Sequence, residues 1–484
     1  MQEMAQKYNG QLNFMYFDAI RKIPRMSFHE EKVADYIEHF AIDNGLWYHR
    51  DKIGNIIIKK PGTKDKDGSD PIILQAHTDM VCEKEQGCEH DFYKDPIDVY
   101  IEDGWMKARE TTLGADDGAG VANILGILSE ENLSHPPLEC VFTVQEENGM
   151  GGAKKLDYSM LKSKRMIGLD GIREGSTIFS ASAVYGGKVK KNIVIDANAA
   201  DSNVFQLCVR GLTSGHGGLQ IGNEQANAIK VTARILYKLN EILEIKLCDI
   251  QGGGLVHVIP RDCTSIFEVD RSIDTEKIVN GIHELAEQIE LEYLQTDPGM
   301  EISCRLIPYN GLHVDKKCSD ELLQLLYLLP VGAAKRNSKF LDRVEGSWNL
   351  SIICLKDGRL VIDVICRANY PLTTAELRSI VCVYAQAFDA VYEETFSYPG
   401  YHVPEDSPLT RIYEKVYRKH TGKSLEKAYI HSALDAGTIY EGLNGIDLIV
   451  VMPTVLDVHT PKERMNVDSF ARTYEYLKDI LALA

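Results

Sequence analysis

Ile72-Ile73-Leu74-Gln75-Ala76-His77-Thr78-Asp79 decides the fold class of this chain. An apolar, β-branched run reads as a buried strand, and it ends on an imidazole followed two residues later by a carboxylate. The same arrangement recurs. Leu138 to Val144 reads as a strand ending at Glu146-Glu147, and Met166 to Leu169 as one ending at Asp170. Asp116-Asp117-Gly118 opens a helix predicted to run to Glu130. Leu448 to Val451 is an apolar strand followed by His459. Around these lie a helical stretch from Phe14 to Asn44, with Ser27 as a cap ahead of Glu30-Glu31, a strand over 55–59, a helix over 411–420 and a last helix over 467–483. Strands alternating with helices predict an α/β fold, and ligands of open α/β sheets collect beyond the carboxyl ends of the strands.

Taken singly, each polar residue has a bland reading: a buried histidine, a helix cap, a surface glutamate pair, a turn aspartate. Their recurrence at strand ends is what points to one shared site. Two imidazoles and three carboxylates suit a pair of zinc or manganese ions, and a further carboxylate suits a general base. Asp116 has the two oxygens a bridging ligand needs, and Asp79 is placed to orient the His77 ring from behind. His216, in a loop of small residues from Thr213 to Gly218, suits a donor to a developing oxyanion. His431, and Arg367 at the end of the apolar run 361–366, are candidate substrate contacts, the arginine for a carboxylate.

The periodicity changes near Val184. The expected organisation is a mixed sheet flanked by helices over residues 1–185 and 398–484, interrupted by an α+β domain over 186–397. The chain has 484 residues, 26% charged and 44% apolar, with a formal charge of -18. That acidity argues against a nucleic-acid partner. No apolar stretch is long enough for a membrane span, and the polar start of the chain lacks a signal-peptide core. Eleven scattered cysteines without CxxC spacing suggest reduced thiols and a cytoplasmic location. Cys82 lies near His77, but the carboxylates make a thiolate ligand redundant.

Gln75-Ala76-His77-Thr78-Asp79-Met80-Val81, Thr112-Leu113-Gly114-Ala115-Asp116-Asp117-Gly118 and Glu146-Glu147-Asn148-Gly149-Met150, in that order, resemble motifs of the co-catalytic zinc peptidases of the aminoacylase and glutamate-carboxypeptidase type. Within that group the chain is similar to the aminoacyl-histidine (Xaa-His) dipeptidases, with Gly168-Leu169-Asp170, Gly215-His216 and Ile259-Pro260-Arg261 as further matches. The resemblance spans essentially the whole chain. It implies that His77 binds one ion, Glu147 the other and Asp116 both, with Asp170 and His459 completing the two sets. It also implies that Glu146 is the general base and that the inserted domain is a lid carrying His216. The resemblance implies a cytoplasmic, homodimeric enzyme acting on small peptides with two divalent ions, zinc first, manganese or cobalt as alternatives. The chain departs from the pattern at Ser214-Gly215-His216-Gly217-Gly218, at His257 where asparagine is usual, at Asp435 where glutamate is usual, and at Gly171-Ile172. His257 joins the substrate-binding candidates on that account. An N-acyl amino acid amidohydrolase, a tripeptidase, or a metal-binding protein without catalysis stand as alternatives.

Overall fold

The computed structural model describes residues 10–171, 173–196, 202–338 and 340–484. The chain divides into two compact units. One comprises Met1–Ala181, Tyr401–Tyr429 and Leu434–Ala484; the other comprises Ser182–Gly400 and Ile430–Ala433.

Among the described residues of the first unit, six strands form a mixed sheet: β1 Trp47–Arg50, β2 Ile56–Lys60, β3 Ile72–His77, β4 Leu138–Thr143, β5 Arg165–Gly168 and β6 Asp447–Val450, in the order β1-β2-β4-β3-β5-β6. β4, β3, β5 and β6 run parallel, with Ile72 opposite Leu138 and His77 opposite Thr143. β1 and β2 add antiparallel to the β4 edge. Every residue of β3 and β4 is buried, as expected of parallel strands covered on both faces. His77, Glu146-Glu147, Asp170 and the loop bearing His459 therefore all leave the sheet at its carboxyl edge.

Helices α1 Leu12–Ile20, α2 Glu31–Asp43, α3 Ala115–Ser129, α4 Pro408–Thr421 and α5 Val467–Leu483 cover the sheet. Phe470 of α5 meets Phe14 and Phe17 of α1 edge-on, with ring centroids 5.0 and 5.8 Å apart. Truncating such a fully buried ring costs about 3–5 kcal/mol. The ends of α4 and α5 follow local rules: Ser407 and Asn466 cap them through Thr410 N–H and Ser469 N–H, and Pro408 occupies the first turn of α4.

The helix expected over 14–44 is two helices. Pro24 lacks an amide donor and disfavours helical backbone at Ile23, so the chain breaks between α1 and α2. Ser27 caps nothing; α2 starts after Glu30 without a side-chain cap, and the Ser27 hydroxyl donates to Asp79 Oδ2 instead (2.7 Å).

The second unit is α+β. A nine-stranded sheet among the described residues carries helices Ala228–Ile242, Thr275–Glu292, Lys316–Leu328 and Pro371–Ala387, with a core of its own. Strands Val344–Lys356 and Arg359–Ala368 join through Asp357-Gly358, both at positive φ (52° and 73°), the tight hairpin turn that suits twisted strands. Its limits differ from those read off the sequence. The strand Ala183–Asn192 already belongs to this sheet from Ala183 onward. Ile430–Ala433, expected with the metal-binding half, is held here: Asn369 Nδ2 donates to Ile430 O (3.1 Å) and Ser182 N–H to Ser432 O (3.0 Å).

Candidate active site

In the first unit His77 Nε2 lies 3.1 Å from Asp116 Oδ1, and His459 Nε2 lies 3.3 Å from Asp116 Oδ2 and 3.0 Å from Glu147 Oε1. Two donor sets result: His77, Asp116 and Asp170, and Asp116, Glu147 and His459, each with ligand atoms within 4.8 Å of one another. Asp116 is common to both. His77 also groups with Glu146 and Glu147 on the same criterion. The seven site residues named in this half of the sequence thus converge.

Asp79, fully buried, holds two of these segments together. Its Oδ1 accepts the Glu146 N–H (3.0 Å) and lies 3.4 Å from His77 Nδ1; its Oδ2 accepts the Glu147 N–H (3.2 Å) and the Ser27 hydroxyl. Burial pushes the Asp79 carboxyl up, but His77, Ser27 and the Glu146 amide outweigh it and keep it below the usual range, so it stays anionic. The turn after β4 is strained: Gln145 and Met150 sit at positive φ (58° and 54°). The Gln145 N–H donates to Glu30 Oε1 (2.9 Å), and Asn55 bridges Val144 and Gly152. Non-glycine residues in that region persist only where the surroundings over-determine them. His459 is likewise at φ 63°, on a half-exposed loop.

The electrostatics state what the cluster lacks. Burial raises Glu146 well above the usual carboxylate range, aided by Asp435, Asp170 and Glu147. Burial and Asp116 lift Asp170 to about 8, and Glu147 is raised in the same way. Against the cost of burial, Asp116 and Glu147 draw His459 up to about 10. Burial pushes the fully buried Asp435 up to about 7, against the pull of the Thr143 hydroxyl. So many buried carboxylates facing few cations is a costly arrangement, which divalent ions would neutralise. The donor set of imidazole and carboxylate fits such ions. Cys82 belongs to none of the donor groups; its Sγ contacts Met80 O (3.7 Å), and burial lifts the thiol to about 11.

The remaining predicted residues lie in the second unit. His216 Nδ1 accepts the Gly218 and Leu219 amides (3.1 and 3.0 Å), which leaves the proton on Nε2 and makes that nitrogen a donor. Its ring stands 5.9 Å from the His257 ring. Gly218 is required by close approach, because a Cβ there would meet His431 O at 2.4 Å and the Arg367 guanidinium at 3.1 Å. Arg367 is buried, and its Nε has no hydrogen-bond partner. Burial lowers it to about 10, still charged at neutral pH. His431 is buried and spoken for: Nε2 faces the Ser347 hydroxyl (2.7 Å) and Nδ1 faces Asn369 Oδ1 (3.3 Å). Burial, then Arg367 and His216, depress it to about 3, so it is neutral.

Sequence reading missed Arg25, Ser27 as an Asp79 partner, Glu30 and Glu463. None carries a spacing signal, since each acts across a long loop.

A sequence profile described as Peptidase family M20/M25/M40 matches residues 73–483. The cytosol non-specific dipeptidase of Escherichia coli (strain K12) is 31% identical over 469 residues, 96% of each chain. The crystal structure of aminoacylhistidine dipeptidase from Vibrio alginolyticus superposes with a TM-score of 0.87 at 28% identity, covering 97% of this chain and 96% of that one. Aminopeptidase PepT from Bacillus cereus, at 17% identity, 97% coverage of both chains and a TM-score of 0.54, shares the fold.

Proposed function

The chain belongs to peptidase family M20/M25/M40, and on that premise we propose that it is a dipeptidase using two divalent ions, with Xaa-His peptides among its substrates and Glu146 as general base. The observation that carries the reading is the pair of donor sets sharing Asp116. His77 and Asp170 would hold one ion, Glu147 and His459 the other, and Asp116 both; zinc suits the set, with manganese or cobalt as alternatives. Bound there, the ions would polarise the scissile carbonyl and make water a better nucleophile.

The protein's own groups do the rest. Burial and the neighbouring carboxylates give Glu146 a high proton affinity, and the divalent ions would hold it ionised, so that it takes a proton from the attacking water and passes it to the leaving amine. Asp79 fixes the backbone of Glu146 and Glu147 and the ring of His77, so the base and its neighbours are preorganised. Arg367, a buried guanidinium with an unsatisfied Nε, has the chemistry to take the terminal carboxylate of a peptide. His216, with its proton on Nε2, suits a donor to a carbonyl oxygen on which charge develops. His257 borders that ring, and His431 is held by Ser347 and Asn369. The breadth implied by the Escherichia coli relative's name and the Xaa-His preference implied by the Vibrio alginolyticus protein's name are compatible with one carboxylate clamp. A cytoplasmic setting is supported by eleven free cysteines, and no described helix is long and apolar enough to cross a membrane. A homodimer is carried over from the family resemblance.

The test is hydrolysis of β-Ala-His, Gly-His and Ala-Ala by zinc- or manganese-loaded protein and by Glu146→Ala. Turnover that falls about 10²–10⁴-fold in the variant with its metal retained supports the reading. No turnover of any dipeptide by the metal-loaded protein overturns it.

A further inference from the structure

The segment 111–117 that carries Asp116 is gripped from both ends of its peptide dipoles by two buried charges. Glu463, 2% exposed, accepts four backbone amides. Its Oε2 takes Leu113 N–H (2.8 Å) and Gly114 N–H (2.9 Å), and its Oε1 takes Ala115 N–H (2.8 Å) and Asp116 N–H (3.3 Å). Arg25, 3% exposed, takes carbonyls. Its Nη1 donates to Thr78 O (3.0 Å) and Asp79 O (2.8 Å), and its Nη2 donates to Gly114 O. One guanidinium therefore ties the tail that carries His77 to the loop that carries Asp116. The two glycines flanking Asp116-Asp117 make room for it. A Cβ on Gly114 would lie 2.5 Å from Arg25 Nη2, and one on Gly118 2.7 Å from it. Gly114 is also at φ 68°.

We propose that Arg25 and Glu463 are positioning residues that set the spacing of His77 and Asp116 and hence the affinity for metal; this rests on reading those two residues as ligands. A loop without regular structure has many backbone states. Four of its amides on one carboxylate and its Gly114 carbonyl on the guanidinium restrict them, and each contact is charge-assisted. Neither residue belongs to a donor set. Their effect passes through Asp116 and His77, as partners behind a ligand act.

The test measures zinc binding to the metal-free full chain by competition with a chromogenic chelator, alongside thermal unfolding of the metal-free protein. In Glu463→Gln an NH₂ group replaces one oxygen and confronts two backbone N–H donors. Zinc affinity is expected to fall about 10–100-fold while the metal-free protein keeps its fold. Gly118→Ala is the second variant, for the case that Glu463→Gln does not fold. It displaces the guanidinium without deleting a charge and is expected to weaken zinc binding, with no further effect when added to Arg25→Ala. Wild-type zinc affinity in folded Glu463→Gln, or in Gly118→Ala, overturns the proposal. Asp116→Ala separates the two layers: if it binds zinc like the wild type, the ligand reading fails instead.

Discussion

Asp79→Asn isolates preorganisation from ligation. The change is nearly isosteric and leaves every donor atom in place. The cheapest arrangement puts the new amide nitrogen at the Oδ2 position, where Ser27 can turn its hydroxyl to accept. The Glu147 N–H, now 3.2 Å from a donor, loses its charge-assisted bond. His77 loses the anion 3.4 Å from its Nδ1. One charge-assisted hydrogen bond is worth about 1.5–3 kcal/mol, which converts to about a 10- to 100-fold loss of metal affinity. The metal-free protein responds differently. Asp79 is one of several buried carboxylates, and it raises its neighbours Glu30 and Asp435. Removing its charge relieves that repulsion and offsets the lost bond, so the metal-free melting temperature is expected to stay close to wild type. Zinc titration of the metal-free variant, with thermal unfolding at zero and saturating zinc, reads both quantities. Wild-type zinc affinity in the folded variant would refute the claim that Asp79 acts on the metal site by fixing its neighbours.

Arg367→Met is expected to cost about 10- to 100-fold in kcat/KM on a dipeptide with a free carboxylate and to change little on the C-terminal amide of the same dipeptide. The same variant should unfold at a higher temperature than wild type without substrate, since a buried cation whose Nε has no hydrogen-bond partner is gone. Glu174→Gln tests linkage away from the site. Glu174 accepts both arms of Arg472 (2.7 Å each) and the Tyr476 hydroxyl (2.7 Å). Burial raises its carboxyl, but Arg472 and Tyr476 prevail and hold it below its ordinary 4.5. A depressed carboxylate stabilises the fold fully above its unfolded pKa and loses that contribution as pH falls through the folded value. With Arg472 about half exposed, the loss at pH 7 is about 1–2 kcal/mol. Denaturant unfolding of both proteins should show the gap closing below about pH 4; a gap independent of pH would contradict the assignment.

The α/β class, the strands that end on His77, Glu146-Glu147 and Asp170, and the change of pattern near Val184 are legible in the chain alone. They are so because period-two and period-3.6 burial are local, and a polar residue terminating an apolar run stands out against it. The first helical stretch was misread because an apolar stripe dominates its ends while Pro24 breaks its middle. Ser27 was misread because a hydroxyl ahead of Glu30-Glu31 has the local look of a cap, and only the fold brings Asp79 within its reach. His459 and Glu147 are 312 residues apart, and Glu463 and Leu113 are 350 apart. The tertiary structure alone decided that such pairs meet, which of the buried charges lack partners, and that His431 is already engaged while the Arg367 Nε is not. Those facts depend on three-dimensional distance and on desolvation, and neither is a property of neighbours along the chain.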